Sequence, residues 1–167
     1  VYDGELIGAL SVSDTVRAES QEVISKLKKL GVKNTVMLTG DSKSNADKVS
    51  KKLGLDKCYS NLLPSDKLDK VEEIKTHSKA VCFVGDGIND APALTRADVG
   101  IAIGAGTDVA IDSADVVLMK SELSDVPRAI SLSRRTLLNI RENLFWAFIY
   151  NVVCIPIAAG VFSPLGV

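Results

Sequence analysis

Four short apolar runs, TVMLT (35–39), AVCFVG (80–85), VGIAIG (99–104) and VVLM (116–119), alternate along the chain with stretches of helical period. The runs are continuous rather than alternating, which is the pattern of strands covered on both faces in a parallel sheet. Between them Val23, Ile24, Leu27 and Leu30 recur at helical spacing and stop at Gly31, which predicts a helix closed by a C′ glycine. Ala46, Val49 and Leu53 repeat the device before Gly54. Leu68, Val71 and Ile74 mark a third helix, opened by Pro64-Ser65 with Ser65 as its N-cap. Strands alternating with helices predict an α/β fold with a doubly wound parallel sheet. The opening, YDGELIGALSVSD, reads as a strand or a hairpin that turns at Asp3-Gly4.

The far end of the chain obeys a different rule. From Leu144 to Val167 no residue is charged, and that run exceeds the roughly 20 residues a membrane-crossing helix needs. Residues 124–143, SDVPRAISLSRRTLLNIREN, read as a basic amphipathic helix leading into it. Arg128, Arg134, Arg135 and Arg141 place that side of the expected transmembrane helix in the cytoplasm. A net charge of −1 gives no footprint for nucleic acid. Cys58, Cys82 and Cys154 are odd in number and lack a CxxC spacing, so they read as reduced thiols, the first two buried. His77 reads as a solvated side chain near a helix end. The chain begins at Val1 without a signal-peptide pattern, and we expect a fragment that starts within a longer protein and stops after entering a bilayer.

Ligands of open α/β sheets sit beyond the carboxyl ends of strands. Two of those ends are rich in polar groups: Thr39-Gly40-Asp41 after TVML, and Gly85-Asp86-Gly87-Ile88-Asn89-Asp90 after AVCFV, with Lys67 in the first turn of the third helix between them. Asp-Gly and Asn-Asp are ordinary turn dipeptides, so a plain loop is one reading. Phosphoryl transfer is the other. A carboxylate such as Asp86 supplies hard oxygen to Mg2+, which takes one or two carboxylates and keeps several waters. Thr39 and the Gly40 amide can donate to phosphate oxygens, and Lys67 brings a compact positive charge. Together such groups hold charge in place as a transition state develops.

The strings MLTGD, LLPSDK, VGDGINDAPAL and ADVGIAIGAGTDVAIDSADVVLM resemble the hinge and signature motifs of the phosphorylation domain of P-type ATPases, within the haloacid dehalogenase superfamily. The resemblance runs from about Gly8 to the end of the chain. It implies that Asp86 and Asp90 make the Mg2+ site, Asp86 coordinating the ion and Asp90 standing near it or hydrogen-bonding around it. It implies that Thr39, Gly40 and Lys67 contact an aspartyl phosphate, that Asn89 helps orient it, and that Asp41 shapes the loop beside the nucleotide. Asp14 and Arg17 match the point where the family's chain returns from its nucleotide-binding domain, with a structural salt bridge or a catalytic role both open. The implied division is 1–12 as the end of the nucleotide-binding domain or hinge, 13–123 as the carboxy-terminal part of the phosphorylation domain, 124–143 as a connecting helix and 144–167 as a transmembrane segment. The family is phosphorylated by ATP on the aspartate of a DKTGT motif, on a central strand between those ending in TGD and GDG. No DKTGT occurs in this chain, so the expectation is that the chain alone is inactive.

Tyr150 and Asn151 interrupt the apolar run, and polar side chains at membrane depth are functional candidates by default. Packing at an interface and a hydrogen bond to a neighbouring helix would serve equally. The Tyr-Asn pair followed by Ile-Pro resembles copper-transporting pumps, in which the pair joins a Cys-Pro-Cys motif of another helix in holding Cu+. A zinc, cadmium or lead pump would show a lysine in that span, and none occurs. The resemblance therefore implies export of Cu+ driven by ATP and Mg2+. The partners would be the pump's own actuator, nucleotide-binding and transmembrane domains, with a copper chaperone, in the plasma membrane of a prokaryote. A zinc, cadmium or lead pump, a soluble phosphatase of the same superfamily, and a truncated non-enzymatic regulatory module that binds Mg2+ or phosphate are the alternatives.

Overall fold

The computed structural model describes residues 16–86, 88–104, 112–120 and 122–160. The expected strand or hairpin at the start, and Asp14 with it, lie outside those residues. The chain divides into two compact units, residues 1–124 and residues 125–167.

In the first unit α1 (Ser20–Lys29) is followed by β1 (Val36–Leu38), α2 (Lys43–Leu53), β2 (Lys57–Tyr59) and α3 (Pro64–Thr76). Then come β3 (Cys82–Gly85), a 3-10 turn (Ile88–Asp90), α4 (Ala91–Arg96), β4 (Val99–Ile103) and β5 (Val116–Leu118). All four apolar runs are strands, and every strand pair is parallel. Val36 stands opposite Lys57, Cys82 opposite Val99, and Ile101 opposite Val116. The strands do not form one continuous sheet, as expected from the sequence, but two, in the orders β1-β2 and β3-β4-β5. Among the described residues β1 and β3 therefore each keep one edge without a strand partner.

The helices end as the glycines require. Gly31 adopts φ 86°, and Val32 N–H donates to Leu27 O at 3.1 Å while Gly31 N–H donates to Lys28 O at 2.9 Å. This is the paired closure in which the left-handed residue satisfies two last carbonyls. The start of α3 corrects the sequence expectation. Pro64 takes the first helical position, so the N-cap is Leu63 and Ser65 lies inside the helix. Proline is favoured there because its missing N–H is one the helix could not use. Asp66 substitutes for the absent cap by accepting the Leu63 N–H at 2.9 Å. The core is built from Val23, Ala46, Val71, Leu94, Ile101 and Ala102, all buried. Leu94 is fully enclosed because α4 packs against β3, β4 and α3 at once.

Among the described residues the second unit holds one helix, α5 (Asp125–Ala158), which runs unbroken through the boundary expected at residues 143/144 and through Pro156. Its apolar side chains are open: Leu144, Phe145, Trp146, Phe148, Val152 and Ile155 are all more than half exposed. No helix among the described residues is long and apolar enough to cross a membrane. The physical reason is length, since the uncharged part of α5 covers 144–158, short of the roughly 20 residues a span needs. Residues 161–167, the remainder of that run, lie outside the described residues. Cys82 also departs from expectation. It is exposed, whereas Cys58 and Cys154 are half-buried.

Candidate phosphoryl-transfer site

Parallel pairing puts the carboxyl ends of β1 and β2 side by side, and those of β3, β4 and β5 likewise. The loop after β1 is fixed by its own polar groups. Thr39 N–H donates to Tyr59 O at 3.0 Å, Leu62 N–H to Thr39 O at 3.1 Å, and Asn61 N–H to Asp41 O at 2.9 Å. Asn61 takes φ 55° to make that crossing, and asparagine tolerates the left-handed region better than most residues. The Thr39 hydroxyl accepts the Asp41 N–H at 3.1 Å and donates to Asp41 Oδ2 at 2.9 Å. Asp41 therefore holds the threonine rotamer, while Gly40 stays exposed with its amide unengaged among the described residues.

At the end of β3 the chain turns sharply. Asp86 follows the strand and is exposed, with no hydrogen bond or ion pair among the described residues. The 3-10 turn then carries Asn89, also exposed, and returns Asp90 over the end of β3. Asp90 Oδ1 accepts a charge-assisted hydrogen bond from Lys67 Nζ at 2.7 Å, and the two side chains are 13% and 18% exposed. Burial of an ion pair to that depth demands good geometry, because desolvation opposes it.

Of the residues singled out in the sequence, the structure thus joins Lys67 to Asp90 and Thr39 to Asp41. It sets Asp86, Asn89 and Gly40 in exposed positions at strand ends. No hydrogen bond joins the two groups among the described residues. Tyr150 and Asn151 lie on α5, and the Asn151 amide donates to Ala147 O of its own helix at 2.9 Å.

The donor set can be tested against Mg2+. Among the described residues no group of three or more His, Cys, Asp or Glu side chains could hold a metal ion by itself. One unengaged carboxylate, Asp86, is a suitable hard donor. That fits an ion completed by water and phosphate oxygens, which is how Mg2+ is commonly held.

Three further carboxylates, not singled out in the sequence, work at the opposite strand ends. Asp56, just before β2, accepts the Thr35 N–H at 2.8 Å and the Thr35 hydroxyl at 2.7 Å. Asp98, just before β4, accepts the Val81 N–H at 2.7 Å. Asp115, just before β5, accepts the Gly100 N–H at 2.8 Å. The Thr35 hydroxyl and amide, then the Lys28 ammonium at 3.1 Å, pull the Asp56 carboxyl down to about 2. Lys75 and the Val81 amide lower that of Asp98. The signal in the sequence was an aspartate immediately ahead of a strand, in LDKCY, ADVGIAI and ADVVL.

A haloacid dehalogenase-like hydrolase family model matches residues 1–98, and a second with the same description matches residues 68–130. The chain is 51% identical over 163 residues to copper-transporting ATPase 1 of Rhizobium meliloti, covering 98% of this chain and 20% of that protein. It is 48% identical over 165 residues to human copper-transporting ATPase 2, covering 99% of this chain and 11% of that protein. A zinc-transporting PIB-type ATPase crystallised in the E2.Pi state superposes with a TM-score of 0.78 at 41% identity, over 92% of this chain and 24% of that one. The chain thus spans no more than about a quarter of the length of these three proteins.

Proposed function

Because the chain belongs to the haloacid dehalogenase-like hydrolase family, we propose that it is the carboxy-terminal part of the phosphorylation domain of a P-type, heavy-metal-transporting ATPase. In this reading residues 1–12 end the nucleotide-binding domain or hinge, and 13–123 complete the phosphorylation domain. Residues 124–143 connect to the membrane, and 144–167 enter it. The observation that carries the reading is the placement of Thr39, Gly40, Asp86 and the Lys67–Asp90 pair at the carboxyl ends of β1 and β3, with those two strands each open on one edge. A strand filling that position would bring its own carboxyl end, and the nucleophilic aspartate of a DKTGT motif, between the two loops.

The chain's own groups then have separate tasks. Asp86 would hold Mg2+, which neutralises phosphate charge and templates the in-line geometry. The Lys67 ammonium and the Gly40 amide face charge on the transferred phosphoryl oxygens, and such fixed donors favour the transition state over the ground state. Thr39 donates to the same oxygens once its hydroxyl turns from Asp41. Asn89, exposed beside Asp86, supplies an amide donor that orients the phosphoryl group. The nucleophile comes from outside this chain, and so does the nucleotide pocket.

We assign Cu+ as the transported ion. Support comes from the 51% identity to a copper-transporting ATPase, from Tyr150 and Asn151, and from the lack of lysine beyond residue 143. The intact pump would work at the plasma membrane of a prokaryote with a copper chaperone as donor.

Radiolabelled ATP tests the reading. The full-length protein should take up an acid-stable, hydroxylamine-labile label that Asp86→Ala abolishes, with turnover stimulated by Cu+ and not by Zn2+. The isolated 167 residues should take up none. Label on the isolated chain, or none on the full-length protein, would refute it.

A further inference from the structure

Asp90 occupies the N-cap position of α4, and aspartate is among the residues preferred there because its carboxylate can accept the N–H groups of the first turn. It makes no such bond. Its Oδ1 turns instead to Lys67 Nζ at 2.7 Å, across a separation of 23 residues, in a setting where both side chains are largely covered. The turn that brings it there depends on Gly85. A Cβ on Gly85 would stand 2.8 Å from both Asp90 Cβ and Asp90 Oδ2 and 3.1 Å from Cγ. The Cβ contact cannot be relieved by rotating the carboxylate, since Cβ is fixed to the backbone.

From these contacts we infer that Gly85 and Asp90 are positioning residues whose task is to hold the Lys67 ammonium at the strand ends, and that, of the two aspartates Asp86 and Asp90, Asp86 is the one that would offer a carboxylate to Mg2+. This deepens the function proposed above and rests on it for its catalytic meaning, though not for its structural content. A lysine has four rotatable side-chain bonds and loses rotamer entropy when it is fixed. Fixing it in advance by a carboxylate spares that cost when an anion arrives. The forgone N-cap is the local loss that the arrangement accepts.

The first experiment needs neither ATP nor metal. Acylation of lysines by acetic anhydride in the isolated chain, mapped by mass spectrometry, should show Lys67 reacting slowly in the parent protein. It should react several-fold faster in Asp90→Asn and in Gly85→Ala. Lys70, one turn away on α3 and engaged with Glu73, should keep its rate in all three and so report an intact fold. Equal Lys67 rates in parent and Asp90→Asn would overturn the inference. If Gly85→Ala does not fold, Asp90→Asn decides alone.

The second experiment uses the full-length pump. Asp90→Asn and Lys67→Met should each weaken inhibition by vanadate by about tenfold or more, the size of one hydrogen bond to a charged group. The double variant should be no worse than either single one, as expected for two residues acting as a unit. Half-saturation by Mg2+ should rise in Asp86→Asn and stay unchanged in Asp90→Asn. A rise in Asp90→Asn matching that of Asp86→Asn would make Asp90 a metal ligand and sink the proposal. Failure of the parent to form any phosphoenzyme would instead sink the pump reading, and leave the lysine result standing.

Discussion

Gly100→Ala is a sharp test of how α4 is held. Gly100 is the second residue of β4, is buried, and is pinned on one side by Asp115, which accepts its N–H at 2.8 Å and returns a backbone N–H to its carbonyl at 2.9 Å. On the other side lies the Leu94 backbone. A Cβ at position 100 would meet Leu94 O at 2.6 Å, its carbonyl carbon at 3.1 Å and its Cα at 3.3 Å. The first contact is about 0.8 Å inside the near edge of ordinary van der Waals separation. The neighbour is main chain, so no side-chain rotation relieves it, and α4 must lift from β4. Overpacking of this kind costs about 1–3 kcal/mol. With a urea dependence of about 2 kcal/mol/M the unfolding midpoint should fall by about 1 M. Far-UV circular dichroism against urea measures it, with an unchanged slope as the sign that the native state is still compact. The double variant Gly100→Ala/Leu94→Ala separates backbone from side chain. Leu94 is fully buried, so its truncation alone should cost about 2–5 kcal/mol. The two losses should accumulate, because the clash is with the Leu94 carbonyl. An unshifted midpoint in Gly100→Ala, or rescue by the shortened Leu94, would refute the reasoning.

Three other outcomes follow from named contacts. The Asp56 carboxyl is depressed in the folded state to about 2 from 3.8, so the stability it contributes is present above about pH 4 and is lost as pH falls through 2. Asp56→Asn should be less stable than the parent in urea at neutral pH, and the gap should close on acidification. A gap independent of pH would show that Thr35 and Lys28 do not act through the charge. Asp98→Asn should behave in the same direction, since Lys75 and the Val81 amide depress Asp98 likewise; hydrogen exchange at the Val81 amide should speed up, and an unchanged rate would count against the contact. In the full-length pump Asn151→Ala should abolish Cu+-stimulated turnover while phosphorylation from inorganic phosphate persists. Unaltered stimulation would confine Asn151 to the bond it makes with Ala147.

The strands that were legible in the sequence are those with continuous apolar runs, because burial dictates composition along their whole length. β2 was not legible. Its three residues, Lys57, Cys58 and Tyr59, form an edge that needs no such run, and Tyr59 is covered from α3 by the Lys70 ammonium 4.6 Å from its ring centroid. α4 escaped notice because GINDAP reads as turn chemistry and the helix has only six residues. Ser65 is not the N-cap because the fixed φ of Pro64 already suits the first helical position, which moves the cap to Leu63. The place of Thr39, Gly40 and Asp86 just past strand ends was legible, since each follows an apolar run. The pairing of Lys67 with Asp90 was not. Nothing in the spacing of Lys67 and Asp90 shows that one will reach the other, for that depends on Gly85 lacking a side chain and on a 3-10 turn folding back across it.

The carboxylates show why position along a strand decides what an aspartate does. At the amino ends of parallel strands the first N–H groups project without a ladder partner, and a nearby carboxylate is drawn to them. Asp56, Asp98 and Asp115 are used up in this way, each tying the start of one strand to its neighbour. At the carboxyl ends the projecting groups are carbonyls, which offer a carboxylate nothing to accept. Asp86 therefore stays unengaged, and Asp90 finds a donor only in a side chain, Lys67. The same residue type serves as mortar at one end of the sheet and as available charge at the other. A cation beside the carboxyl ends would meet carboxylate and carbonyl oxygens together. An anion there would be drawn to the Lys67 ammonium, the Gly40 amide and the side-chain donors of Thr39 and Asn89. That asymmetry follows from strand direction alone. The site proposed above for a metal and a phosphate would therefore sit at the carboxyl ends, since the carboxylates at the amino ends are already engaged.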